Sequence, residues 1–133
     1  MQGREFLRGA VSLAGAREPR VPDRLEPLPA ELREAFARAR STGRLSRLGS
    51  PILYFPVTGS TNDVVARLAA HGQAEGVVAM ADAQTAGRGR RGRQWFSPRG
   101  SGLYMSVLLA PGRARVPDRA TALVTLAAGV ALA

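Results

Sequence analysis

The chain has 133 residues, the length of one domain with a modest core, and a net charge of +9. All 19 basic residues are arginine, so the charge is permanent and suited to forking onto phosphate or carboxylate, while no lysine is present to act as a base or amine nucleophile. Cysteine is absent and a single histidine accompanies ten scattered acids, which excludes a disulfide framework, zinc chemistry, and Cys or His nucleophilic catalysis.

Only 5% of residues are aromatic against 45% hydrophobic, so the core must be built mainly from Ala, Val and Leu. Residues 1–28 have no steady period and contain Pro19, Pro22 and Pro27, the composition of an irregular arm. The apolar residues near the start are too few and too broken by Arg8 to span a bilayer, and a cytoplasmic location is expected. Between Pro29 and Arg40, Leu32, Ala35, Phe36 and Ala39 recur at helical spacing, with Gly43 placed to stop the run.

"PILYFP" predicts a strand bounded by prolines, and "GSTNDVVARLAAHG" predicts a helix. In that helix Ser60 or Thr61 can serve as N-cap, Asp63 complements the dipole in the first turn, Gly72 closes the end, and Val64, Val65, Leu68 and Ala69 form the buried face. His71, beside Gly72, reads as a surface residue at the helix C-terminus. "EGVVAMADAQ" predicts a mostly buried strand, "SGLYMSVLLAP" another, and "ATALVTLAAGVALA" an apolar helix. The order helix, strand, helix, strand, loop, strand, helix indicates an α/β fold, a mixed sheet with flanking helices.

Between the last two strands lies a loop of about 15 residues, a length usual only for functional or mobile segments. It includes "QTAGRGRRGRQW", residues 84–95, with four arginines and three glycines. Glycines allow backbone N–H groups to turn toward an anion while guanidinium forks add charge-assisted bonds, an arrangement suited to phosphate. The absence of lysine rules out the P-loop, and a strand after the glycines departs from the dinucleotide fingerprint. An arginine- and glycine-rich segment is also the composition of a nucleic-acid-binding patch, which remains the competing reading. Its position between two apolar strands, ending on Trp95 and Phe96, predicts that its far end docks on the core. Asp82 is placed either to orient arginines or as a solvated strand-end carboxylate.

"STND" at a helix start followed by "DAQTAGRGRRGRQWFSPRGSGLYMSV" resembles the catalytic domain of the biotin protein ligases, over roughly Ile52 to the C-terminus. The resemblance implies activation of biotin by ATP with Mg2+ to biotinyl-AMP, then transfer to a lysine of a biotin carboxyl carrier protein, the acetyl-CoA carboxylase subunit. It assigns biotin contacts to Ser60, Thr61, Asn62 and Gln84. It also identifies Gly87, Arg88, Gly89, Arg90, Arg91, Gly92 and Arg93 as the ligand-binding loop. Arg88, Gly89 and Arg90 would lie nearest biotin, Arg93 on ATP phosphate, and Arg90 and Arg93 would be the catalytic cations. Trp95 matches the family's tryptophan and is expected to anchor the loop. Lipoate ligation, with related acyl-adenylate chemistry, is disfavoured by the Gly/Arg motif.

The family's further lysine, its Lys-Trp-Pro-Asn-Asp-like segment and its small C-terminal β-domain have no counterpart here. Residues 29–133 are therefore expected to be the N-terminal portion of a catalytic domain, a fragment with incomplete activity. The arm also lacks two helices separated by a turn, so a winged DNA-binding domain and a repressor role are not expected.

Overall fold

The computed structural model describes residues 24–45 and 48–131, with side chains as far as Val124. Most of the predicted arm, residues 1–23, lies outside the described residues. In chain order the elements are helix α1 (Ala30–Ser41), strand β1 (Ile52–Phe55), helix α2 (Thr61–Ala70), strands β2 (Val78–Ala81), β3 (Gln84–Arg88), β4 (Gln94–Ser97) and β5 (Tyr104–Val107), and helix α3 (Pro117–Ala131). Short 3-10 turns occupy Arg90–Gly92 and Pro111–Arg113.

β1, β2 and β5 form a three-stranded sheet in that order. β1 and β2 run parallel, joined through α2, and β5 returns antiparallel on the other side of β2. Alternation along the strands sends side chains to two faces. Leu53, Phe55, Val77, Ala79, Ala81 and Leu108 pack with Val64, Val65 and Leu68 of α2, and half-buried Tyr104 packs against them. The opposite face carries Tyr54, Val78 and Met80, covered by Leu28, Leu32 and Phe36 from α1 and the segment before it. Helix, sheet and helix thus stack in three layers. Each fully buried Leu, Val or Phe here contributes about 1.5–3 kcal/mol, which makes the thin α2 face the main source of cohesion.

α3 begins at Pro117, three residues before the predicted start. Proline is preorganised for a first helical position and Asp118 sits where a negative charge suits the dipole. No described helix is long and apolar enough to cross a membrane.

The segment expected to be a structureless loop is instead an antiparallel two-stranded ribbon, β3–β4, with a register shift between Gln84 and Gly87. Its sequence lacks the alternation of a strand because no layer covers it. Trp95 is 67% and Phe96 91% exposed, so the expected docking of this aromatic end on the core does not occur. Ser97 is the residue of β4 that is buried.

Asp82, at the end of β2, accepts a 2.7 Å hydrogen bond from the Tyr54 hydroxyl and lies 3.9 Å from Arg99 Nε. This joins both readings of Asp82: it is a strand-end carboxylate that orients one arginine, held by a buried phenol. Burial, followed by the hydrogen bond and negative charge of Asp82, pushes the Tyr54 phenol up to about 12. The folded chain therefore keeps a proton that an unfolded tyrosine releases near pH 10. Stability contributed by this site is complete below pH 10 and falls as pH rises through 12. The stability of the parent measured by urea denaturation should fall between pH 10 and 12 more steeply than that of Tyr54→Phe; parallel slopes would contradict the assignment.

Candidate functional site

The site forms where β1 ends and α2 begins. Ser60 occupies the N-cap position with extended backbone, but its side chain makes no capping hydrogen bond. The cap comes from Gln84. Its Oε1 accepts from the Thr61 backbone N–H at 2.8 Å and from the Thr61 hydroxyl at 3.1 Å, while its Nε2 donates to Ser97 Oγ at 3.3 Å. A helix leaves its first N–H groups without intrahelical partners, and Thr61 is only 4% exposed. The amide of a residue 23 positions later therefore completes the helix and fixes the ribbon to it.

Backbone bonds extend the seam. Thr58 N–H donates to Ala83, Thr85 N–H to Thr58 and Ala86 N–H to Gly59, at 3.2, 3.0 and 2.8 Å. Farther out, Arg88 forks onto Asp63 of the first turn of α2, with Nε to Oδ1 at 2.9 Å and a second guanidinium nitrogen to Oδ2 at 2.9 Å. Beyond Arg88, the ribbon folds on itself. Gly89 N–H donates to Arg93 at 2.7 Å and Arg91 adopts left-handed backbone, φ 59°.

Two glycines are required by close approach. A Cβ at Gly87 would stand 2.7 Å from Ser97 Oγ and 2.9 Å from the Trp95 carbonyl, and one at Gly89 would stand 2.9 Å from the Trp95 indole nitrogen. Trp95 thus lies across the ribbon's own backbone.

Ser60, Thr61, Asn62, Gln84, Arg88, Trp95, Leu103, Tyr104, Met105 and Ser106 line a cleft of about 290 Å³. That is near the low end of the roughly 300–1,000 Å³ usual for small-molecule sites. The helix side of its wall is hydroxyl and amide, while the ribbon and β5 side mixes the Gln84 amide, the Arg88 guanidinium and the Ser106 hydroxyl with Trp95, Leu103, Tyr104 and Met105. Of the residues singled out in the sequence, Ser60, Thr61, Asn62, Gln84, Arg88 and Trp95 meet at this cleft. Gly87 and Gly89 shape the ribbon behind it, whereas Arg90, Arg91, Gly92 and Arg93 sit at the exposed tip and do not line the cleft. Among the described residues, no carboxylate pairs with Arg90, Arg91 or Arg93.

Ser106 was not singled out from sequence. Its hydroxyl lies 2.6 Å from Asn62 Oδ1 and 2.9 Å from Thr61 Oγ1, so it can donate to the amide oxygen and leave the Asn62 NH2 for other acceptors. The signal was available in the alternation of "YMSV", which places Ser106 on the same face as Tyr104, toward α2, but a lone hydroxyl in an apolar strand carries no motif. His71 is exposed, with its Nδ1 2.7 Å from the Arg67 carbonyl, as a surface residue would be. A second hollow of about 310 Å³, lined by Leu28, Arg33, Phe36, Ala37, Arg40 and Ile52, lies on the α1 side of the sheet and gathers none of these groups.

Residues 54–133 match the family described as Biotin/lipoate A/B protein ligase family. The chain belongs to that family. It is 40% identical over 85 residues to the bifunctional ligase/repressor BirA of Bacillus subtilis (strain 168), covering 64% of this chain and 25% of that protein. It is 43% identical over 76 residues to the biotin--[acetyl-CoA-carboxylase] ligase of Mycobacterium tuberculosis, covering 56% of this chain and 28% of that protein. A solved structure, the biotin protein ligase from Leishmania major in complex with biotin, is 42% identical over 41% of this chain and 21% of its own, with a TM-score of 0.35. The chain thus matches about a quarter of the length of each of the two relatives. The nucleic-acid-binding alternative finds no support in the comparisons.

If Gln84 is the cap, Gln84→Ala leaves the buried Thr61 N–H unpaired and should cost about 1–3 kcal/mol. Gln84→Glu keeps an acceptor at the positive end of the helix and should cost much less. Equal losses in urea denaturation would remove Gln84 from this role.

Proposed function

We propose that the cleft beneath the arginine ribbon binds biotin, and that the chain contributes the biotin and adenylate site of an ATP-dependent biotin protein ligase. The reading rests on family membership together with one observation: a neutral hydroxyl and amide pocket at a helix N-terminus, continuous with a tip carrying Arg90, Arg91 and Arg93. The two ends suit the two ends of the ligand. Biotin's ureido ring is neutral and both donates and accepts, the capacity shared by Gln84, Asn62, Ser60 and Thr61. Its carboxylate and the phosphates of ATP are anions, which favour fixed guanidinium groups.

In this reaction a biotin carboxylate oxygen forms a bond to the α-phosphorus, the bond from that phosphorus to the bridging oxygen breaks, and pyrophosphate leaves. A carrier lysine amine then forms the amide bond with the acyl carbon, releasing AMP and a proton. Bringing carboxylate to phosphate sets like charges together, and cations positioned at the crowded phosphorus lower that barrier. Arg90 and Arg93 are assigned to this task, with Arg91 beside them at the bend. Closing the ribbon over the mixed anhydride would keep water from it. Among the described residues no cluster of His, Asp or Glu could cage a metal; Mg2+ would arrive on the ATP phosphates, which commonly supply most of its ligands besides water. The acceptor is proposed to be a biotin carboxyl carrier protein, and the setting cytoplasmic.

Trp95, the single tryptophan, stands at the cleft and reports on it directly. Biotin should change Trp95 emission saturably, and Arg90→Ala should weaken biotin binding by less than it weakens binding of biotinyl-AMP. The same variant should lose about tenfold or more in affinity for biotinyl-AMP, the scale of one charge-assisted bond. It should also release biotinyl-AMP faster. Unchanged emission with biotin, or equal losses for both ligands, would count against the assignment.

A further inference from the structure

Four arginines follow one another on the ribbon, yet only the first is paired with a carboxylate of the described residues. Asp63 projects from the first turn of α2 and takes the Arg88 fork through both oxygens, at 2.9 Å from Nε and 2.9 Å from the terminal nitrogen. Along the seam between β3 and the start of α2, the fixed points are the Thr58–Ala83 and Thr58–Thr85 backbone bonds, Gly59–Ala86, Gln84–Thr61 and finally Asp63–Arg88. Among the described residues, the backbone bonds Gly89 to Arg93 and Arg93 to Arg90 are internal to the turn.

We infer that Asp63 is a positioning residue for the arginine ribbon: by gripping Arg88 it sets the last fixed point of β3, and it separates a charge-balanced inner end from a cationic tip. Without that grip the outermost attachment of β3 is the Ala86–Gly59 bond, to the segment just before α2, and the pivot of the ribbon moves back by two residues, freeing the cleft-lining Arg88. The charge would change as well. Arg88 lines the cleft, and its pairing with Asp63 balances its charge there, as a neutral ligand head requires, while beyond it stand three guanidiniums with no carboxylate partner among the described residues. Side-chain exposures of 64% for Arg88 and 35% for Asp63 place the pair in contact with solvent, so it is a weak, salt-sensitive clamp and not a permanent strut.

Only the ligand-dependent part of this inference rests on the proposed biotin site. The clamp itself is tested on the ligand-free chain by amide hydrogen exchange at low salt. Asp63→Asn should speed exchange at Gly87–Gly89 by about two- to fivefold, the scale of an exposed ion pair, while Thr85 and Ala86, held by backbone bonds, change little. Asp63→Glu should restore most of the protection. Arg88→Gln should speed exchange to the same degree, and the double variant should add nothing further. Salt near 0.5 M should bring the parent toward the variants and leave them unmoved. Unchanged exchange at 87–89 in Asp63→Asn, or additive effects of the two substitutions, would overturn the inference. In a second arm, Asp63→Asn should weaken biotin binding by a factor similar to the gain in exchange and raise affinity for inorganic pyrophosphate. A parent that shows the clamp but binds no biotin would refute the functional reading alone.

Discussion

The N-terminus of α2 is the point on which the rest of the site depends. A helix that starts against a sheet end buries N–H groups that must find acceptors, and here the adjacent Ser60 does not supply one. The Gln84 amide reaches across from β3 and accepts from both polar groups of Thr61. Because the same amide donates to Ser97 on β4, one side chain joins helix, inner strand and outer strand. The ribbon is therefore attached to the fold chiefly through hydrogen bonds at its base and not through a layer of apolar side chains.

That mode of attachment explains how one segment serves two environments. At its base, Gln84 is half-buried, Ser97 is buried, and the seam is made of uncharged backbone groups. At its tip, arginines and glycines stand in solvent, where permanent charge costs nothing to maintain and a bending backbone can approach a phosphate closely. Between the two, the Asp63–Arg88 pair balances charge at the edge of the cleft. A ligand with a neutral bicyclic head and an anionic activated tail would follow this gradient.

The layers were legible in the sequence because hydrophobic period reports burial directly. Leu32 and Phe36 at helical spacing, the proline-bounded "ILYF" and the apolar "VVAMA" all found the layer they implied. The ribbon was not legible, since its strands pair through backbone groups and carry neither alternation nor β-branched residues beyond Thr85. Trp95 and Phe96 misled for the complementary reason: large apolar residues suggest a core, but a two-stranded ribbon has no second layer to bury them. Ser60 was a sound local candidate for a cap, displaced by a contact between residues distant in sequence that no spacing rule anticipates. Ser106 escaped notice because its partners, Thr61 and Asn62, lie more than forty positions away.

The central claim is that the cleft between the α2 N-terminus and the ribbon takes biotin through Gln84 and the Ser60–Asn62 turn. Titration of the 15N-labelled chain with biotin, followed by amide chemical shifts, tests it most directly. The account predicts saturable shifts at Thr61, Asn62 and residues 84–88, including the Gln84 side-chain amide, with the Phe36 and Ile52 amides on the α1 side unmoved. Shifts confined to the α1 side, or no shifts at millimolar biotin, would contradict it.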